Sequence, residues 1–170
     1  MAYFSPFGLF LISNNGFELM KFPTIKSKTL NKNEYQLPND LRGEYNVVIV
    51  AFTQYHQRDV DTWIPFLQIL ERDNSNIHYY ELPTVNNRGP LFRFYLDGIM
   101  RGGIRDFETR ERTITLYTNV KDFCNGLNIN PSQIYTYLID KKGEILFFVA
   151  GRFSDKKGND LLSVIKKLND

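Results

Sequence analysis

Tyr45-Asn46-Val47-Val48-Ile49-Val50-Ala51-Phe52 is the stretch of this 170-residue chain whose reading decides the fold. Its β-branched run is nearly continuous, the pattern of a strand buried on both faces of a sheet. The period then changes. Val60, Trp63, Ile64, Leu67 and Leu70 recur at helical spacing, as on a helix that lays one apolar stripe against a sheet. Asp59 and Thr62 are candidate caps for its start. Pro65 lacks an amide hydrogen and fits either the first turn or a kink.

Working outward, Ile77 to Leu82 reads as a short strand ending at Pro83, and Pro90 to Met100 as a helix broken by Gly102-Gly103. Thr113 to Tyr117 alternates as a strand should, and Val120 to Leu127 fits a short helix stopped near Gly126. Ile134 to Asp140 and Glu144 to Ala150 read as strands joined by the turn Lys141-Lys142-Gly143, with Asp140 at its start. A last helix is expected from Asp155 to Leu168, with Leu161, Leu162, Ile165 and Leu168 on one face. Upstream, Phe22 to Glu44 is polar and irregular, and Leu30-Asn31-Lys32-Asn33 suits the turn of a small hairpin. Asn14-Asn15-Gly16 separates the apolar run Met1 to Ile12 from Phe17 to Met20, which predicts an N-terminal hairpin.

Alternating strands and helices imply an α/β fold: a three-layer sandwich with a mixed central sheet, helices on both faces and an N-terminal β extension. The expected division is an arm or hairpin over 1–21 and one domain over 22–170.

Composition narrows the function classes. Hydrophobic residues make up 42% and charged residues 24%, with 14 Phe and 10 Tyr to fill a core with rings. A formal net charge of +2 is too small to argue for nucleic acid or an anionic membrane as partner. The single cysteine, Cys124, cannot form an internal disulfide, so a disulfide scaffold is excluded within this chain. Met1 to Ile12 has no Lys or Arg and is too short to span a bilayer, unlike a signal peptide or a transmembrane helix. It is expected to pack on the domain as a strand or arm; a membrane-touching arm and a dimer contact are the alternatives. Cytoplasmic localisation follows by default.

The element order, with its closing hairpin and helix, resembles the thioredoxin superfamily. FPTIKSKTLNKNEYQLPNDLRGEYNVVIVAF (22–52) is similar to the lead-in of the peroxiredoxin-like branch, and IYTYLIDKKGEILFFVAGRFS (134–154) to its terminal hairpin. GIRDFETRERTITLYTN (103–119) followed by YLIDKKGEI (137–145) is similar to the mitochondrial ATP-synthase assembly factor family, thioredoxin-like and without the redox pair. WIPFL, YYELP and RERTITLYTN in this order also resemble uncharacterised prokaryotic proteins.

The resemblance implies a redox turn after the first core strand, where a helix start lowers a cysteine pKa. Here that turn reads Phe52-Thr53-Gln54-Tyr55-His56-Gln57-Arg58-Asp59, and the two cysteine places fall near His56 and Asp59. The peroxiredoxin cysteine is missing as well. Aligning the YTYLID strand puts Tyr135 where thioredoxins carry their cis-proline. The scaffold is thus expected without its redox chemistry. Cys124 lies far along the chain and reads as a small buried hydrophobe, with a resolving or regulatory thiol as the sharper alternative.

The turn keeps a polar face at a strand end, a location that ligands favour in α/β sheets. His56 is the candidate general base, with Arg58 to pair an anionic group and Asp59 beside them. Gln54, Tyr55, Gln57 and Tyr135 are candidate binding residues. The bland reading is a solvated loop. Arg101 to Arg112 interleaves four arginines with Asp106, Glu108 and Glu111, which predicts a salt-bridged loop. Its sharper reading is recognition of a carboxylate or phosphate by Arg105 and Arg110. Trp63 lies on an apolar stripe, so core packing is preferred to a partner anchor. His56, His78 and Cys124 show no metal-ligand spacing, and neither a metal nor a cofactor is expected. The leading expectation is a non-redox module that binds or assists another protein, with a homodimer as a further option and no firm membrane association. An enzyme built on His56, Arg58 and Asp59 is the alternative, and a residual peroxidase or reductase on Cys124 the third.

Overall fold

β3 (Tyr45–Ala51) is the middle strand of a five-stranded sheet in the computed structural model, which describes residues 20–169. Residues 46–50 are all buried, as the β-branched run requires. On one side β3 runs parallel to β4 (Ile77–Asn86), with Val47 opposite Tyr79. Beyond β4 lies β5 (Leu116–Thr118), also parallel. On the other side β3 runs antiparallel to β6 (Tyr135–Asp140), with Val48 opposite Tyr137, and β6 pairs antiparallel with β7 (Ile145–Ala150). The sheet is mixed, as expected.

Because side chains alternate along a strand, each face of the sheet carries its own core. Val47 and Ile49 face α1 (Gln57–Asp61), α2 (Ile64–Asp73) and α6 (Asp155–Asn169), packing with Val60, Trp63, Leu67, Leu161 and Ile165. Val48 and Val50 face α5 (Val120–Leu127) through Phe123 and Leu127, and a hairpin of β1 (Ile25–Lys28) and β2 (Glu34–Leu37) through Tyr35 and Leu37. Burying each such side chain contributes about 1.5–3 kcal/mol. The hairpin turns at Asn31 and Lys32 as anticipated. The N-terminal hairpin predicted from Met1 to Met20 falls outside the described residues, apart from Met20. From there the chain is tied to the β6–β7 turn, where Phe22 N donates to Gly143 O at 2.7 Å and Ile145 N to Met20 O at 3.1 Å.

Several local expectations are corrected. The helix expected through Val60 to Leu70 is two helices, α1 and α2, with Thr62 and Trp63 between them. Pro65 lies in the first turn of α2, where its missing donor is harmless. Neither Asp59 nor Thr62 caps a helix start. Thr62 Oγ1 instead donates to Asp59 O at 2.6 Å and accepts from Phe153 N at 2.9 Å. Pro83 does not end β4. It falls where pairing with β3 finishes at Ala51 and pairing with β5 begins at Thr84.

The segment read as a charged loop contains α4 (Phe107–Arg112), capped by Asp106, whose carboxylate accepts from Thr109 N at 2.7 Å. Regular strand pairing in TITLY is accordingly confined to its end, and Thr113 and Ile114 make isolated bridges to Glu81 and Thr29. α3 (Pro90–Gly103) runs through the glycines that were expected to break it.

Two glycines are demanded by their surroundings. Gly143 has φ +81°, and a Cβ there would lie 2.9 Å from Pro38 Cγ. Gly158, inside α6, leaves room for the Phe153 ring, which a Cβ would meet at 2.9 Å.

Candidate functional site

The turn after β3 is built around His56. Phe52 N donates to His56 Nδ1 at 3.1 Å, the imidazole is buried, and its ring meets Phe52 edge-on. A ring nitrogen that accepts this bond carries no proton. His56 thus ties the end of β3 to the following helical turn. Asp59 faces elsewhere, 3.9 Å from Arg152 Nε, and Arg58 is exposed. The turn brings the three residues together in sequence, but their side chains meet different surroundings. Gln54 and Tyr55 are exposed, and Gln57 Nε2 donates to Asp61 at 2.9 Å and to Glu81 at 3.4 Å. Glu81 lies half-buried on β4. Burial raises its carboxyl pKa, with the hydrogen bond from Gln57 opposing and the charge of Asp61 adding to the rise.

Cys124 is buried on α5, and burial pushes its thiol pKa up. That is the reverse of the shift an attacking cysteine needs. Tyr135 is buried too, its hydroxyl accepting from Asn130 N at 3.1 Å and Gln133 Nε2 at 3.3 Å. Trp63 is fully buried, and its indole donates to Gly151 O at 3.1 Å. His78 Nδ1 lies 2.8 Å from Glu71, which also holds Arg112 at 2.9 Å.

The arginine segment divides its tasks. Arg110 donates to the carbonyls of Ile104 at 2.5 Å and Arg101 at 2.8 Å, satisfying acceptors at the end of α3. Arg105 is exposed. Glu111 is buried and gathers Asn33 Nδ2 at 2.8 Å, Asn31 Nδ2 at 3.0 Å and Arg42 Nη2 at 3.4 Å, pinning the hairpin to α4. Its burial is unreadable in a run of alternating charges.

The surface that sequence reasoning missed is α3. None of its residues is fully buried. It meets β5 at Tyr117, whose hydroxyl donates to Asp97 at 2.5 Å and whose ring lies under Arg93. Its outer side exposes Leu91 (86%), Phe94 (80%), Tyr95 (66%) and Ile99 (53%), and Phe107 just beyond is exposed as well. A groove of about 610 Å³ separates α3 from the hairpin, between Lys26, Lys28 and Tyr35 on one wall and Arg93, Asp97 and Tyr117 on the other. The available signal was the spacing of the apolar residues without a place for them in either core. Gly98 and Gly102 share the outer side, and a Cβ on either would meet nothing within 4 Å. Each weakens an exposed helix by about 1 kcal/mol relative to alanine.

No family model matches the sequence, and no curated protein does. Solved structures do resemble the fold. A thiol:disulfide interchange protein from Bacteroides sp. shares 17% identity at a TM-score of 0.53, covering 88% of each chain. Yeast Sco1 with copper bound shares 15% identity at 0.59, covering 89% of this chain and 95% of its own. BsSco, described as a member of the Sco family of cytochrome c oxidase assembly proteins, shares 11% at 0.57, covering 87% and 93%. The fold is thioredoxin-like.

The chain has one cysteine, and among the described residues no group of three His, Cys, Asp or Glu side chains could hold a metal ion. Among the described residues no helix is long and apolar enough to cross a membrane.

Proposed function

We propose that this chain is a non-redox thioredoxin-like module that binds another protein or assists its assembly, similar in sequence pattern to the peroxiredoxin-like branch and to the ATP-synthase assembly factor family. The observation that carries this reading is the outer side of α3, where four large apolar side chains stand in solvent on an element that neither core needs. Exposed apolar patches of this kind mark interaction surfaces. The missing CxxC pair and the buried Cys124 point the same way, since the scaffold persists without the thiols that a reductase would use. The description of a similarly folded Sco protein as an assembly protein gives the role a precedent on this scaffold.

The test places a photo-crosslinking residue at Tyr95 in the full chain in its source cells. A discrete adduct, identified by mass spectrometry and lost in Leu91→Asp/Phe94→Asp, supports the reading. A folded protein that gives no discrete adduct overturns it.

A further inference from the structure

Resting on that reading, we infer that α3 docks an amphipathic helix of the partner, one whose apolar ridge is flanked by acidic residues. The stripe Leu91, Tyr95, Gly98 and Gly102 advances in steps of four, three and four residues, the spacing that keeps one side of a helix facing another helix. Phe94 and Ile99 border it, both exposed.

Gly98 and Gly102 sharpen the partner's shape. Within this chain nothing occupies the space their side chains would fill, whereas Gly158 is required by the ring of Phe153. Two glycines one turn apart leave a flat step beside the large apolar side chains, and a second helix backbone can approach closely there. A lipid surface gains nothing from side chains that are absent.

The rim sets the charge. From Arg88 to Arg105 the chain carries four arginines and one aspartate; Arg93 lies over the Tyr117 ring, which leaves Arg88, Arg101 and Arg105 for the rim. The aspartate, Asp97, already accepts from Tyr117. Arg101 and Arg105 sit at the glycine end of the stripe, and Arg88 just before its start. A second copy of this chain would set arginine against arginine. Acidic flanks on the partner helix answer this rim. Fourteen residues of α3 span about 21 Å, so a partner helix of four to five turns covers it.

Two designed helical peptides test the inference. They share one leucine–alanine stripe and differ only in flanks of Glu or of Lys, and each is titrated by fluorescence anisotropy against the full chain at low salt. The Glu peptide is expected to bind at least tenfold more tightly than its Lys twin. Gly98→Leu/Gly102→Leu should weaken it at least tenfold while leaving the thermal midpoint unchanged or higher. Arg101→Glu/Arg105→Glu should erase or reverse the preference.

Equal binding of the two peptides, no binding of either, or no effect of the leucine pair overturns the inference. Capture by anionic phosphatidylglycerol vesicles that the leucine pair does not reduce assigns the face to lipid and also overturns it. So does concentration-dependent dimerisation abolished by Leu91→Asp/Phe94→Asp. If the peptides fail while the Tyr95 adduct forms and depends on Leu91 and Phe94, the docking face stands and the acidic helix falls. If both fail, the docking reading falls with it.

Discussion

The main-chain amide of Phe52 and the Nδ1 of His56 are hydrogen-bonded at 3.1 Å, so the imidazole closes the end of the central strand. An amide at this half-buried strand end, left without its acceptor, costs up to about 1–3 kcal/mol. His56→Ala should therefore lower the free energy of unfolding by about that amount in a urea titration. Peptide binding at α3 should be unchanged. A variant of wild-type stability would show that water replaces the imidazole.

Glu81 sets a pH dependence of known sign. Burial raises its carboxyl pKa above the ordinary 4.5, so the folded chain holds this proton more tightly than the unfolded one. Its contribution to stability is fully present below about 4.5 and is lost as pH rises through the folded value. Glu81→Gln should match the wild type near pH 4, where both side chains are neutral, and exceed its thermal midpoint at pH 7. A less stable Gln variant at pH 7 would mean that the ionised carboxylate is held by Gln57.

Gly158→Ala should destabilise by about 1–3 kcal/mol, because its Cβ meets the Phe153 ring at 2.9 Å and Phe66 at 3.1 Å. Phe153→Leu in the same chain should recover part of the loss. A double-mutant cycle reads the coupling directly; additivity of the two changes would refute the clash.

Glu111→Ala strips the acceptor from Asn31, Asn33 and Arg42. A loss of about 0.5–1.5 kcal/mol per bond is expected at most, since Asn31 is half-buried and Asn33 and Arg42 are exposed, so water replaces part of what the carboxylate supplied. Amide exchange should accelerate first in β1 and β2. Uniform acceleration across the sheet would show that the hairpin and the sheet open as one unit.

Most of the scaffold was legible because its signals are local. The run Tyr45 to Phe52 cannot be satisfied at a surface, and Lys141-Lys142-Gly143 supplies the positive φ that the β6–β7 turn uses at Gly143. What was illegible depends on tertiary partners. Asp106 and Thr109 form an ordinary cap, yet the charges around them read equally well as a loop. Arg110 looked available to an anion and is spent on carbonyls of α3. The turn at His56 was found as a place, but a histidine that accepts from the backbone looks the same in sequence as one that faces a ligand. The outer side of α3 was hidden for another reason: an apolar stripe announces burial without saying by what.

That α3 contributes no fully buried side chain separates two pressures that most helices must answer together. Val47 to Val50 and their packing partners hold the fold, while Leu91, Phe94 and Tyr95 are free of that duty. The outward residues of α3 can be rewritten with little loss of foldability, which makes this helix the natural position at which to build a new binding surface onto the scaffold.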